Sequence, residues 1–96
     1  NKFEELMTAM EDHPKVRIIR MRRVPFIDST GIHNLQNLCE MSHREGTHIV
    51  LSGVTPNVYS VLEHNGFCHL LGKDHICPNI NVALERASAI VKRKID

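Results

Sequence analysis

Residues 24 to 32 read Val-Pro-Phe-Ile-Asp-Ser-Thr-Gly-Ile and carry the strongest structural signal in this chain. The first four residues predict a short extended segment, and Pro25 disfavours a helical conformation at Val24. Asp28, Ser29 and Thr30 are residues that commonly cap the start of a helix. The stretch therefore predicts a passage from extended chain into a helix that begins at Ser29 or Thr30.

Upstream of this stretch, the pattern predicts a helix followed by a strand. Apolar residues recur at helical spacing from Phe3 to Met10, and Pro14 ends that helix. The segment from Val16 to Met21 is an apolar run interrupted by arginines, and we predict a strand there. A chain that enters a helix at its first residues is typical of a cut inside a larger protein.

Downstream, the helix after Asp28 ends near Gly46. The run from His48 to Ser52 is short, apolar and partly β-branched, which predicts a strand buried on both faces. The helix after Asp28 carries one apolar stripe, formed by Ile32, Leu35, Leu38 and Cys39.

The last third of the chain predicts two further helices. Thr55 followed by Pro56 is a helix-start signal, and Asn65 with Gly66 closes that helix. We predict a short strand or an irregular apolar segment over residues 67–71 and a loop over 72–78. Asn79 or Asn81 caps the final helix. One face of that helix is apolar and consists of Ile80, Ala83, Leu84, Ala87, Ile90 and Val91.

The order of these elements predicts an α/β fold. Strands that alternate with helices form a small, mostly parallel sheet with crossover helices. Two of the strands are convincing, which is few for a stable sheet. We therefore expect one or two N-terminal strands to precede Asn1, so that residues 1–96 are the C-terminal portion of a larger protein.

Composition narrows the functional classes. A chain of 96 residues forms one domain, and a net charge of +1 with only three Phe, one Tyr and no Trp argues against nucleic-acid binding. Three cysteines at irregular spacing predict no disulfide framework. A metal site is not expected either, because the usual paired spacing of ligands is missing from His64, His69, His75, Cys68 and Cys77. No nucleophile–base–acid set or phosphate-binding glycine loop is present. We therefore expect a protein that is not an enzyme and needs no cofactor.

The segment Asp28-Ser29-Thr30-Gly31 is the candidate site. The first amides of a helix and its dipole create a positive field, in which a Ser29 hydroxyl could dock a partner or accept a phosphoryl group. Asp28 could bond that hydroxyl or the following amides, and Gly31 would let a partner backbone approach. The alternative is that Asp28, Ser29 and Thr30 form only a helix cap.

A basic patch lies close to this segment in the sequence. Its members are Arg20, Arg22 and Arg23, with Arg17 further upstream. One interpretation is a contact for an anion, a nucleotide or a lipid headgroup. The other is that arginines protect the edge of a strand from unwanted pairing.

The chain resembles the STAS family, which includes anti-sigma factor antagonists and the C-terminal domains of SulP anion transporters. The resemblance is carried by the order of elements and by residues 24–32. The ending from Ile76 to Ala87, with Gly66-Phe67 and Leu71-Gly72-Lys73 before it, is similar to the transporter branch, in which a loop leads into an Asn-Ile-x-x-Ala-Leu helix.

The resemblance implies a regulatory or interaction domain on the cytoplasmic face of the membrane, as part of an integral SulP-type, sulfate-like anion transporter. Its partners would be its own transmembrane domain, a second protomer or a cytosolic protein, with nucleotide as a further candidate. The alternative is a free anti-sigma factor antagonist, for which the resemblance makes Ser29 the phosphoacceptor.

Overall fold

The computed structural model describes residues 14–93. The predicted first helix, from Phe3 to Met10, lies outside the described residues. Within them the elements follow the predicted alternation of strands and helices. They are β1 (Val16–Arg20), α1 (Ser29–Arg44), β2 (His48–Ser52), α2 (Pro56–His64), α3 (Phe67–Leu70), a 3-10 helix (Lys73–His75) and α4 (Ile80–Arg93).

The sheet of the described residues consists of β1 and β2, which are parallel and run in register from Val16 opposite His48 to Arg20 opposite Ser52. The ladder continues one residue further, where the Met21 amide donates to the Ser52 carbonyl over 2.7 Å. On its other side β2 forms an isolated parallel bridge between Leu51 and Ile76. The predicted α/β class with a parallel sheet and crossover helices is thereby confirmed.

Helices cover both faces of β2, as its apolar run predicted. Ile49 and Leu51 point to one face, where they join a core cluster with residues of α1, α2 and α3. Val50 points to the other face and packs with Cys77, Ala83 and Ile90. Because Val50 and Leu51 are completely buried, the two clusters meet back to back through this strand.

Local signals explain where α2 and α4 begin. Thr55 accepts a hydrogen bond from the Val58 amide over 3.4 Å, and Pro56 stands at the first helical position. Of the two candidate caps of α4, Asn79 is the one used, because its side-chain oxygen accepts from the Val82 amide over 2.9 Å.

The segment after α2 was predicted wrongly. Residues 67–71 were expected to be a strand or irregular, but Phe67–Leu70 is the short helix α3. Gly66, with φ at 82°, turns the chain before it, and the completely buried Phe67 anchors the helix in the core. The edge of β2 that a strand would have needed is occupied by the bridge to Ile76. The predicted loop over 72–78 contains the 3-10 helix.

Two apolar faces are narrower than predicted. In α1 the buried positions are Ile32, Leu35, Cys39 and Ser42, whereas Leu38 is half-buried. In α4 only Ala83 and Ile90 are buried. Leu84 and Val91 are 53% and 39% exposed and border an apolar hollow next to β1. The sheet next to α4 is too small to cover the whole apolar face of this helix.

Candidate functional site

Asp28 is the N-cap of α1. Its backbone is extended, with φ at −97° and ψ at −178°, and its Oδ1 accepts a hydrogen bond from the Gly31 amide over 2.9 Å. The Asp28 carbonyl accepts the first intrahelical bond, from the Ile32 amide, over 2.9 Å. Asp28 therefore satisfies one of the four amides that a helix start leaves unpaired. Of the two roles considered for it, bonding the following amides is the one that the geometry displays.

Ser29 and Thr30 occupy the first two positions of α1, and both are exposed. Their amides have no acceptor within the helix, because an acceptor would have to come from four residues upstream, outside α1. Asp28 also carries a negative charge beside them, which partly offsets the positive end of the helix dipole. The turn thus presents two hydroxyls and two amides to an approaching group.

The packing of the chain around position 31 explains why this residue is a glycine. A Cβ added at this position would come within 2.9 Å of Cγ1 of Ile27 and 3.4 Å of Oδ1 of Asp28. Ile27 packs against the core cluster that contains Ile32. Ile27 precedes the N-cap and Ile32 is the fourth helical residue, the two positions of a hydrophobic staple. The missing side chain of Gly31 therefore lets Ile27 lie across the first turn, whereas the sequence suggested space for a partner backbone.

Two hollows flank the turn, and Ile27 and Asp28 line both. The first, of about 440 Å³, is polar on one side, where Ser29, His33 and Gln36 lie along α1. The second, of about 380 Å³, is more apolar and lies between β1 and α1. Phe26 borders the second hollow with 74% of its surface exposed. An exposed aromatic beside an apolar hollow is an unusual use of one of only three phenylalanines.

The structure brings one of the three candidate arginines to the turn. Arg20 lines the apolar hollow together with Asp28 and Gly31. Arg22 and Arg23 lie in the turn after β1, and the backbone of Arg22 is packed against Gly53. All three side chains are exposed. Within residues 14–93, no ion pair joins any of them to Asp28.

Two residues at the turn were not singled out from the sequence. Phe26 was assigned only to the extended segment, although an aromatic after proline in a chain poor in aromatics was an available signal. His33 follows Ser29 by four residues and therefore lies on the same face of α1. It also lines the polar hollow, and its Nε2 lies 3.2 Å from Nδ2 of Asn37. That spacing could have been read from the sequence once the start of the helix was placed.

Residues that could bind a metal are not gathered at this site. In the part of the chain that the structure describes, no three His, Cys, Asp or Glu side chains come together as a metal site would require. The three cysteines are free thiols, with Cys39 and Cys77 buried and Cys68 half-buried. Among the described helices, none combines the length and the apolar character needed to cross a bilayer.

Comparison with known proteins places this geometry in a family. The model of the STAS domain matches residues 1–94. A sulfate transporter family protein from Wolinella succinogenes, of known structure, is 38% identical with a TM-score of 0.81, over 95% of this chain and 75% of that chain. The SulP transporter STAS domain from Vibrio cholerae is 29% identical with a TM-score of 0.81, over 96% of this chain and 72% of that chain.

A longer relative extends the comparison. Sulfate transporter 1.3 of Arabidopsis thaliana is 31% identical over 87 residues, which is 88% of this chain and 13% of that protein. The chain therefore spans about an eighth of the length of this relative. The resemblance inferred from residues 24–32 and from the ending Ile76 to Ala87 is confirmed.

Proposed function

The chain belongs to the STAS domain family, and from this premise we propose that it is the cytoplasmic regulatory and interaction domain of a SulP-type anion transporter. The observation that carries the proposal is the match of 96% of the chain, with a TM-score of 0.81, to a SulP transporter STAS domain. The similarity to a sulfate transporter supports a sulfate-like anion as the substrate of the whole protein. The domain itself performs no catalysis in this proposal.

The surface through which the domain acts is the turn with Phe26, Ser29 and Arg20. Phe26 supplies an exposed aromatic, and Arg20 supplies a cation at the edge of the same hollow. Aromatic and arginine side chains are the types that most often dominate binding energy in protein interfaces. We propose that the transmembrane domain of the same protein, or a second protomer, is the partner that covers this surface. A cytosolic protein is the third candidate.

The experiment compares anion uptake by the full-length protein carrying Phe26→Ser with uptake by the unmodified protein. Met41→Ser is the matched control, because Met41 is also a large exposed apolar residue but lies near the other end of α1. We expect Phe26→Ser to change uptake at constant protein abundance and Met41→Ser to leave it unchanged. If removal of residues 1–96 leaves uptake at the level of the unmodified protein, the regulatory role is wrong.

A second candidate is a free anti-sigma factor antagonist that is switched by phosphorylation of Ser29. The observation in its favour is that Ser29 is exposed at the first position of α1 and lies on the same face as His33. A phosphate there would meet the helix dipole and the two open amides. Phosphopeptide mapping of the protein from its own cells tests this: phosphate on Ser29, absent in Ser29→Ala, supports it, and a persistently unmodified Ser29 contradicts it.

Nucleotide binding at Arg20, Arg22 and Arg23 is a third candidate, supported by the exposure of all three side chains and by the position of Arg20 beside the turn. Titration of the chain with ATP and GTP, followed through amide chemical shifts, tests it. We expect shifts around Asp28 to Gly31 if the candidate is correct. An Arg20→Gln variant with the same response as the unmodified chain would argue against a role for this arginine.

One edge of β1 has no neighbouring strand among residues 14–93, and this supports a further part of the proposal, that strands of the larger protein pair with it. Among the described residues β1 pairs only with β2. A hollow of about 610 Å³ lies beside it, lined by apolar side chains of β1 and α4. A strand there would cover the exposed Leu84 and Val91. A longer version of the chain that includes the preceding residues should unfold at higher urea concentration, and an equal midpoint would contradict the pairing.

A further inference from the structure

A cationic cavity lies at the amino end of β2, away from the Asp28 turn. It has a volume of about 280 Å³ and is lined by His48, His75, Arg86, Ile90 and Arg93. None of these described lining residues is acidic. The turn follows the carboxyl end of β1, and the two strands are parallel, so the cavity and the turn lie at opposite ends of the sheet. The cavity is therefore separate from the candidate site.

His75 is fixed inside this cavity rather than mobile on the surface. It is 8% exposed, and its Nδ1 lies 3.2 Å from the Ile49 carbonyl oxygen. Because a carbonyl oxygen can only accept, Nδ1 carries the hydrogen, and Nε2 is the atom that gains or loses a proton. The ring meets His48 edge to face, with the ring centres 6.1 Å apart at 75°.

Arg86 supplies a half-buried positive charge to the cavity. Its Nε is shielded from solvent, and no hydrogen-bond partner for it exists among the described residues. A guanidinium keeps its charge at any physiological pH, so a buried N–H without an acceptor is costly. Arg93, about two helical turns further along α4, is exposed and lines the rim of the cavity. An acceptor with several oxygens would satisfy both arginines.

The charges around His75 agree with this arrangement. Burial lowers the pKa of His75 most, and Arg86 and His48 lower it further. The hydrogen bond to Ile49 and the carboxylate of the adjacent Asp74 act in the opposite direction and raise its pKa. Arg93 also faces the cavity. The net effect is a lowered pKa, caused first by burial and second by the positive charge of Arg86, and an anion in the cavity would oppose the second of these effects.

We propose that this cavity binds a free tetrahedral oxyanion of the sulfate or hydrogenphosphate class. Arg86 and Arg93 donate guanidinium N–H groups to its oxygens, and His75 donates from Nε2 after taking up a proton. Arginine is the residue best suited to such oxygens, because its planar fork donates two parallel hydrogen bonds. One water takes about 30 Å³ in the liquid, so the cavity has room for a five-atom oxyanion and some of its hydration. The site stands whether or not the proposed transporter role is correct.

The test titrates the 96-residue chain with sodium sulfate while amide chemical shifts are followed at pH 6 and pH 8. Sodium chloride holds the ionic strength constant. We expect saturable shifts at Ile49, His75 and Arg86, and tighter binding at pH 6 because the bound state takes up a proton. Arg86→Gln should weaken sulfate binding at least about tenfold. His75→Gln should remove most of the pH dependence.

Two further variants separate loss of the binding site from loss of the fold or of overall charge. Arg93→Gln removes an exposed cation without disturbing the core, so it reports on the site even if Arg86→Gln fails to fold. Arg44→Gln, the matched control, makes the same change of charge on α1, across the sheet from α4, and should leave the affinity unchanged. The proposal is overturned if Arg44→Gln weakens binding as much as Arg93→Gln, or if chloride alone produces the same shifts. Binding of glycerol phosphate but not of sulfate or inorganic phosphate also overturns it, since the ligand would then not be a free ion.

Discussion

Replacing Asp28 by alanine should destabilise the domain by about 1–2 kcal/mol. Removing a good N-cap costs about 1 kcal/mol, and loss of a negative charge at a helix start adds about 0.3–1 kcal/mol. The 2.9 Å bond from the Gly31 amide to Oδ1 of Asp28 is short enough to contribute fully. Asp28→Asn keeps an equivalent cap and loses only the charge, so it should cost roughly 0.5 kcal/mol.

Urea denaturation measures both variants. A domain of this size loses about 1 kcal/mol of stability per molar urea, so Asp28→Ala should lower the midpoint by about 1–2 M. Thr55→Ala, which removes the longer 3.4 Å cap of α2, should have a smaller effect. The reasoning is refuted if Asp28→Ala unfolds at the same midpoint as the unmodified chain, or if Asp28→Asn costs as much as Asp28→Ala. Because Asp28→Asn keeps the fold, any loss of partner binding in that variant would identify a functional role for the carboxylate.

Three further predictions follow from glycine, histidine and cysteine positions. In urea denaturation, Gly53→Ala should lower the free energy of unfolding by at least ~1 kcal/mol more than Gly46→Ala. Both glycines have a positive φ, 71° and 78°, but of the two only Gly53 lies so close to a neighbour that a new Cβ would come within 2.7 Å of Cβ of Arg22. Folding lowers the pKa of His75 below its ordinary value of about 6.5. In low-anion buffer the free energy of unfolding should therefore be highest above pH 6.5 and should fall as the pH drops below that value. His75→Gln should reduce this fall, and an unchanged dependence on pH would contradict the prediction. Iodoacetamide should label Cys68 before Cys39 in the native chain. Cys39 is buried, and its pKa is raised to about 11 by that burial and by Glu40. Equal early labelling of the two cysteines, detected by mass spectrometry, would contradict the prediction.

Elements with strong local signals were predictable from the sequence. The run from His48 to Ser52 and the Thr55-Pro56 start of α2 lie where they were expected, because burial on both faces and helix capping depend on a few adjacent residues. The segment from Phe67 to Leu71 was not predictable in this way. A short apolar run suits a strand or a helix equally well, and here the choice depends on Gly66 and on the edge of β2 that Ile76 occupies.

At the Asp28 turn, too, the features that depend on adjacent residues were predictable and those that depend on tertiary packing were not. The position of the turn and the capping role of Asp28 depend on neighbours in the sequence and could be foreseen. The hollows beside the turn could not, because the polar one requires Val61 of α2 and Asn65, the residue that caps the end of this helix. The exposure of Phe26 is likewise a tertiary property, since the same residue packed inward would have been read as core.

The two proposed sites lie at the two ends of β2, and we expect them to act independently. His48 begins the strand at the cationic cavity, and Ser52 ends it opposite Arg20 near the turn. Five residues of strand span roughly 16 Å, beyond the distance at which substitutions usually influence one another. One way in which an anion bound at one end could affect a partner at the other is by moving β2. Because Val50 and Leu51 are completely buried between two helical layers, such a movement would disturb both core clusters. The changes that Phe26→Ser and Arg93→Gln cause in the free energy of sulfate binding should therefore add in the double variant. A departure from additivity would indicate that the strand transmits anion binding to the turn.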